Sequence, residues 1–177
     1  TPFVAVVDYG AGNLRSIRRA LEAAGAEVAI TADPAVVARA DAVVLPGVGA
    51  AGAAMDRLRE LGIVPAIEAA VASGRPFLGI CLGMQLLFDK SYEDGEYAGL
   101  GLLPGAVVRF RDHPGLKVPH MGWNQVEQVR PHRLWQGIAN RERFYFVHSY
   151  YAAAAESGDV AGATEYGIRF TSAAARA

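Results

Sequence analysis

The chain has 177 residues, 52% hydrophobic and 20% charged, with a formal net charge of −1. That is enough to bury one real core and short for two, so a single domain over 1–177 is expected. So balanced a charge carries no electrostatic footprint for nucleic acid, and no apolar run approaches the roughly 20 residues of a membrane helix. The opening TPFVAVVDYG lacks the basic-then-apolar layout of a signal peptide, which points to the cytoplasm, with small molecules or protein as partners.

The first part alternates short apolar strands with helical stretches. FVAVV (3–7) precedes LRSIRRALEAAG (14–25), where Leu14, Ile17, Leu21 and Ala24 recur at helical spacing opposite Arg15, Arg18, Arg19 and Glu22, and Gly25 stops the helix. EVAI (27–30) and DAVVL (41–45) are further strands. AAMDRLRELG (53–62) and IVPAIEAAVASG (63–74) are helical, RPFLGI (75–80) is a strand, and LGMQLLF (82–88) resumes helical spacing. This alternation predicts parallel βαβ units in an open, mostly parallel sheet flanked by helices, an α/β fold. After Lys90 the texture changes. SYEDGEYAGLGLLPG (91–105) is rich in glycine and polar residues, and VVRF (107–110), WNQVEQV (123–129), RFYFVHSYY (143–151), DVAGATEY (159–166) and IRFTS (168–172) are strand-like without long helices between them. They predict a mixed or antiparallel extension of the same sheet.

The single cysteine, Cys81, excludes an internal disulfide and a thiolate metal cluster, leaving packing or reactivity. It stands in Gly79-Ile80-Cys81-Leu82-Gly83, the G-x-nucleophile-x-G pattern of a strand-to-helix elbow, where a Cβ at either glycine would clash. A helix N-terminus there favours the thiolate, and the Leu82 N–H can face a developing oxyanion, which suits acyl transfer. Without the two glycines, a buried packing cysteine is the commoner case. A second corner, Pro46 to Gly52, matches G-x-G-x-x-G, the pattern of a dinucleotide pyrophosphate site. It follows the third strand instead of the first, and no acid ends a strand about 20 residues later, so backbone N–H groups of Gly47, Val48 and Gly49 turned towards an oxyanion beside Cys81 are the favoured reading. A third corner, Asp8 to Asn13, reads as a turn in which Asn13 caps the helix beginning at Leu14, although a cap does not account for Tyr9.

DYGAGNLRS (8–16), LPGVG (45–49), GICLGMQLLF (79–88), GLGLLPG (99–105), PHMGWN (119–124) and YFVHSYY (145–151) together closely resemble the glutaminase subunits of imidazole glycerol phosphate synthases, nearly end to end. The elbow and LPGVG fit any triad-type glutamine amidotransferase, with its flavodoxin-like core; DYGAGNL and PHMGWN are characteristic of this subunit. The resemblance implies that Cys81 attacks the side-chain amide of glutamine, forms a glutamyl thioester and releases ammonia, after which water frees glutamate. It implies that Gly47, Val48, Gly49 and Leu82 form the oxyanion site and that Gln85, Glu93, Ser149 and Tyr150 hold glutamine, Glu93 pairing with the α-ammonium. For Glu93 a solvated loop carboxylate is the competing reading. Asn13 and Trp123 would face a (β/α)₈-barrel cyclase subunit in a heterodimer, which uses the ammonia to make imidazole glycerol phosphate and AICAR in histidine biosynthesis. Trp123 rests on the resemblance alone, since a strand tryptophan is more often core. No cofactor and no metal are implied.

The family completes its triad with a His-Pro-Glu motif near the C-terminus, in which the histidine shuttles the proton and the glutamate orients it. No His-Pro-Glu occurs among these residues. His113 and His148 lack a following acid, and His120 and His132 suit turn or interface positions better than a triad. The resemblance places the last strand, the motif and a closing helix beyond FTSAAARA, so these residues are expected to lack them. Truncation or omission is favoured over loss of catalysis because the rest of the site is in place. A catalytically silent subunit that only docks onto the cyclase and, more remotely, a dinucleotide-binding domain are the alternatives. Gly-flanked Val48 could also support a peptide reorientation that switches the oxyanion site on.

Overall fold

The computed structural model describes residues 1–176. The chain forms two compact units, one of Thr1–Leu87 with Ala98–Leu100, the other of Phe88–Tyr97 and the residues from Gly101 on.

In the first unit the elements follow as β1 (Phe3–Val7), α1 (Leu14–Ala23), β2 (Glu27–Thr31), α2 (Pro34–Arg39), β3 (Ala42–Leu45), α3 (Ala51–Glu60), α4 (Ile63–Ala72), β4 (Phe77–Gly79) and α5 (Leu82–Gln85). The strands pair in the order β2-β1-β3-β4, all parallel. Both faces are covered, which explains why β1 and β3 read as unbroken apolar runs. Val4, Val6 and Val44 pack under Leu14, Ile17 and Leu21 of α1. Alternation turns Ala5, Val7, Val43 and Leu45 to the opposite face, where α4 packs on β3. Leu58, Ile63 and Ile67 are fully buried, each such side chain contributing about 1.5–3 kcal/mol. Helix α2 lies in a stretch, 31–40, for which the sequence reading gave no element. Its signal is local: Pro34 takes the first helical position, and the Asp33 carboxylate accepts the Ala35 N–H at 2.9 Å. Among the described residues no helix is long and apolar enough to cross a membrane.

The remaining strands, in the second unit apart from Ala98, are β5 (Phe88–Ser91), β6 (Tyr97–Ala98), β7 (Leu103–Arg109), β8 (His120–Gln125), β9 (Glu127–Gln128), β10 (Arg143–His148), β11 (Tyr150–Ala154), β12 (Val160–Tyr166) and β13 (Ile168–Ala174). The expected antiparallel part is present, yet it forms sheets of its own instead of continuing the parallel one: a mixed seven-stranded sheet, β6-β5-β7-β11-β13-β12-β9, and a ribbon of β8 and β10. LGMQLLF, expected as helix through Phe88, is helical for four residues only, because Phe88 opens β5 and pairs in parallel with Leu103.

Alternation along the ribbon sorts its side chains. His120 and His148 face each other across the two strands and lie among Phe110, Phe146, Tyr166 and Phe170. His120, expected at a turn or interface, is instead 3% exposed in a strand, because even-numbered positions of β8 face inward. His132 does sit at a turn, its Nδ1 accepting the Leu134 N–H. Desolvation, helped by the neighbouring His148, pushes the His120 imidazole down to about 4. His148 is also lowered by burial, against the raising effect of its bond to the Tyr150 carbonyl.

Both rings are thus neutral in the folded state, whereas a histidine of the unfolded chain titrates near about 6.5. The unfolded chain binds more protons in acid, so the stability these rings permit is whole above about pH 6.5 and falls away as pH drops towards the folded value. Urea midpoints measured from pH 7 down to pH 4 should therefore decline, and decline less for His120→Phe, which has no ring to protonate. An equal decline in the two proteins would contradict the assignment.

Candidate active site

The elbow at Cys81 is built by close backbone approach. Ile80 N–H donates to the Leu45 carbonyl at 3.0 Å, binding the end of β4 to the end of β3. A Cβ on Gly83 would stand 1.8 Å from that same oxygen, and one on Gly79 would meet the Gly83 carbonyl at 2.5 Å. Only glycine lets α5 leave the strand at this angle. Between them Cys81 adopts φ 55°, ψ −118°, a left-handed conformation that costs a non-glycine residue on the order of 1–3 kcal/mol and concentrates at functional sites. The residue is exposed.

The expectation that a helix N-terminus favours the thiolate is corrected. Helix α5 has four residues and little dipole to offer. Although Cys81 is exposed as a residue, desolvation by its surroundings raises the thiol above its ordinary value. Burial, not a helix dipole, therefore sets the direction of the shift at Cys81.

The LPGVG corner lies beside this elbow and is gripped from two sides. Tyr9 is buried, and its hydroxyl donates to the Pro46 carbonyl at 2.8 Å; burial drives the phenol up to about 12, so it stays a donor. A Cβ on Gly47 would fall 2.0 Å from that hydroxyl and 3.0 Å from the Leu82 Cβ. The glycine at 47 therefore answers to the protein's own side chains, which removes the reason for reading a pyrophosphate cradle there. The second grip is the Leu82 N–H, which donates to the Gly47 carbonyl at 3.3 Å. The Gly47–Val48 peptide is trans. With its carbonyl turned to Leu82, its N–H points the opposite way, and Val48 is 63% exposed. Two of the expected oxyanion donors are thus turned elsewhere, one occupied and one directed away.

Gln85 closes α5, its N–H donating to the Cys81 carbonyl at 3.1 Å. The second unit carries the other residues expected to hold glutamine. Glu93 is partly buried, its N–H on Ser91 Oγ at 3.3 Å, and desolvation with a contribution from Asp94 pushes its carboxyl up. It is less solvated than a free loop carboxylate. Ser149 joins β10 to β11, its carbonyl accepting the Phe110 N–H at 3.0 Å, and the Tyr150 carbonyl accepts from His148.

Asn13 is the cap the sequence indicates, Oδ1 accepting the Ser16 N–H at 3.3 Å. Trp123 is not core. With Met121, Tyr145 and Val147 it forms the outer face of the ribbon, each of the four between 56% and 66% exposed, and its ring meets Tyr145 edge-on at 5.6 Å. Those three neighbours escaped the sequence reading. Their signal was apolar residues on both faces of HMGWN and YFVH, one face more than a core requires.

Residues 5–175 match the family model for glutamine amidotransferase class-I. The chain belongs to the class-I glutamine amidotransferases. This amidotransferase is 54% identical to imidazole glycerol phosphate synthase subunit HisH of Aromatoleum aromaticum, over 98% of this chain and 85% of that one. It is 52% identical to the subunit of the same name from Synechococcus elongatus, over 98% and 80%. Among solved structures, a glutamine amidotransferase aligns with TM-score 0.69 and 19% identity over 92% of this chain and 85% of that one. PurLQS from Thermotoga maritima aligns with TM-score 0.62 and 20% identity over 92% and 74%. These two speak for the fold.

A raised thiol means less thiolate at pH 7 than in a free cysteine. Iodoacetamide labelling of Cys81, followed by mass spectrometry, should be slow at pH 7 and rise through a midpoint above the ordinary cysteine value of about 8.5. A midpoint below neutrality would show that the thiolate is stabilised after all.

Proposed function

We propose that this chain is the glutaminase subunit of an imidazole glycerol phosphate synthase, hydrolysing glutamine and passing ammonia to a (β/α)₈-barrel cyclase in the cytoplasm, within histidine biosynthesis. The observation that carries the reading is the strained, exposed Cys81 at an elbow whose Leu82 N–H adjoins the LPGVG backbone, in a chain about half identical to such subunits along nearly its whole length. Cys81 Sγ attacks the side-chain carbonyl carbon of glutamine. The tetrahedral oxyanion collapses to a thioester as the amide nitrogen, having taken up the proton that the thiol gave up, leaves as neutral ammonia, and water then releases glutamate and restores the thiol. Glu93 takes the substrate's α-ammonium, a cation that relieves its partly desolvated carboxylate. Gln85, Ser149 and Tyr150 hold the rest of the amino acid.

None of the four histidines is assigned as the base. His120 and His148 are hydrogen-bonded to each other, His132 caps a turn, and His113, bridged to Leu116 across a tight turn, has its Nδ1 2.9 Å from the Pro114 carbonyl. The Gly47–Val48 peptide supports control of the reaction. In the present arrangement the Gly47 carbonyl takes the Leu82 N–H that an oxyanion needs. Rotating this one peptide would free Leu82 and turn the Val48 N–H inward, and Gly49, with φ 97° and open space around it, can absorb the change. Docking of the cyclase would be the event that favours the rotated state.

The apolar outer face of the ribbon is the proposed cyclase-docking surface, since contiguous exposed apolar groups of this kind mark protein interfaces; Asn13, in the first unit, is proposed as a cyclase contact on the resemblance alone. Trp123→Ala should weaken binding of the cyclase about 10- to 100-fold, the effect of removing an aromatic anchor, read by calorimetry on the two subunits. Unchanged affinity would remove this face from the interface. For the reaction itself, Cys81→Ala in the full chain with its cyclase should reduce glutamate release to background while leaving thermal unfolding unchanged. If the unsubstituted pair released no glutamate from glutamine, the chain would be a docking subunit without glutaminase chemistry.

A further inference from the structure

Three side chains in the second unit form a hydrogen-bonded line with a definite direction. His148 Nδ1 lies 2.8 Å from the Tyr150 carbonyl. A carbonyl only accepts, so Nδ1 carries the proton, and a neutral ring then leaves Nε2 as an acceptor. His120 Nδ1 lies 2.8 Å from that Nε2 and must therefore carry its own proton, which makes His120 Nε2 an acceptor in turn. The Asn124 amide fills it at 3.2 Å and gives its second hydrogen to the Glu165 carbonyl at 2.9 Å, while Asn124 Oδ1 accepts the Gln125 N–H at 2.7 Å. Each polar atom of the line has one partner of the right sense, a condition under which buried polar networks specify a geometry.

The line is also held sterically. His120 is stacked between Phe146 and Tyr166, with ring centroids at 4.9 Å and 3.9 Å, and Phe110 and Phe170 meet His148 at 5.1 Å and 5.2 Å. Neither ring can turn without disturbing the aromatic cluster. The line runs from β12 through two positions of β8 to β10 and ends on the first residue of β11. Ser149, between the last two strands, is where the chain leaves the ribbon for the seven-stranded sheet.

We infer that His120 and His148 are a positioning pair, holding the Ser149–Tyr150 backbone in fixed register with the ribbon so that this segment is prearranged to bind the amino-acid part of glutamine. The inference rests on the glutaminase reading for the role of Ser149 and Tyr150; the hydrogen-bonded pair itself does not. Both rings act uncharged, since a proton added to either would set two N–H groups against each other, in keeping with the lowered affinity of both for protons. The pair positions and takes no part in bond making.

His120→Phe tests this directly, because phenylalanine keeps the stack between Phe146 and Tyr166 and removes both ring nitrogens. In the full chain with its cyclase, the KM for glutamine should rise about tenfold, the scale of one lost hydrogen bond, while kcat stays within about twofold because Cys81 and its donors are untouched. A KM within about twofold of the unsubstituted protein, in a variant with unchanged near-ultraviolet circular dichroism, would overturn the inference. If the variant fails to fold, ¹⁵N-histidine NMR of the unsubstituted subunit at pH 7 decides. Two neutral rings, both protonated at Nδ1, support the pair, and an Nε2–H tautomer or an imidazolium at either position overturns it. If the unsubstituted complex hydrolyses no glutamine, the glutaminase reading falls on that result alone, and the NMR experiment still reports on the pair.

Discussion

The Leu45 carbonyl at the end of β3 organises the reactive corner. It receives the Ile80 N–H, and it lies so close to Gly83 that no side chain fits between them. This one contact brings the strand carrying Cys81 against the strand that leads into LPGVG and folds α5 back over their shared edge. The conformation of Cys81 follows, since the chain must reverse within one residue between two backbone segments that are already fixed. Strain at the cysteine is offset by a parallel sheet buried on both faces, and a buried scaffold is what allows a single residue to be held in a left-handed conformation.

From that corner the geometry of the LPGVG segment is a matter of two neighbouring peptide planes held differently. Tyr9 holds the Pro46–Gly47 plane with a buried hydroxyl that donates to the Pro46 carbonyl and whose proton burial retains. The Gly47–Val48 plane is held by one bond of 3.3 Å to Leu82, next to an exposed valine and a glycine with space around it. A firm plane beside a loosely held one confines any rearrangement to a single peptide. Burial raises the Cys81 thiol in this same corner, where the Leu82 N–H is taken by the Gly47 carbonyl.

The second unit solves a different problem, presenting one apolar face to solvent while burying another. The ribbon of β8 and β10 has aromatic residues on both sides, and the pleat sends Trp123 and Tyr145 outward and His120, Phe146 and His148 inward. A sheet needs one apolar face for its core. The second is not needed for a core and is what the proposed docking surface rests on, while the inner histidines are tolerable in an aromatic cluster because their nitrogens are hydrogen-bonded.

Much of this was legible in the residues themselves. Strand and helix periodicity located β1 to β4 and most helices, because burial on both faces writes continuous apolar runs and amphipathic helices write a stripe. The glycines at 79 and 83 marked the elbow because backbone approach excludes every other residue, and DYGAGNL and PHMGWN carried the kinship. What the sequence could not show were relations between segments distant along the chain. That Gly47 is small because Tyr9 fills its space, that the Leu82 N–H is spent on Gly47, that His120 bonds His148, and that Trp123 points outward all depend on which face of one element meets another. Local pattern determines the elements and the glycine-flanked corner; long-range packing alone decides where each N–H points, because its partner lies in a segment distant along the chain.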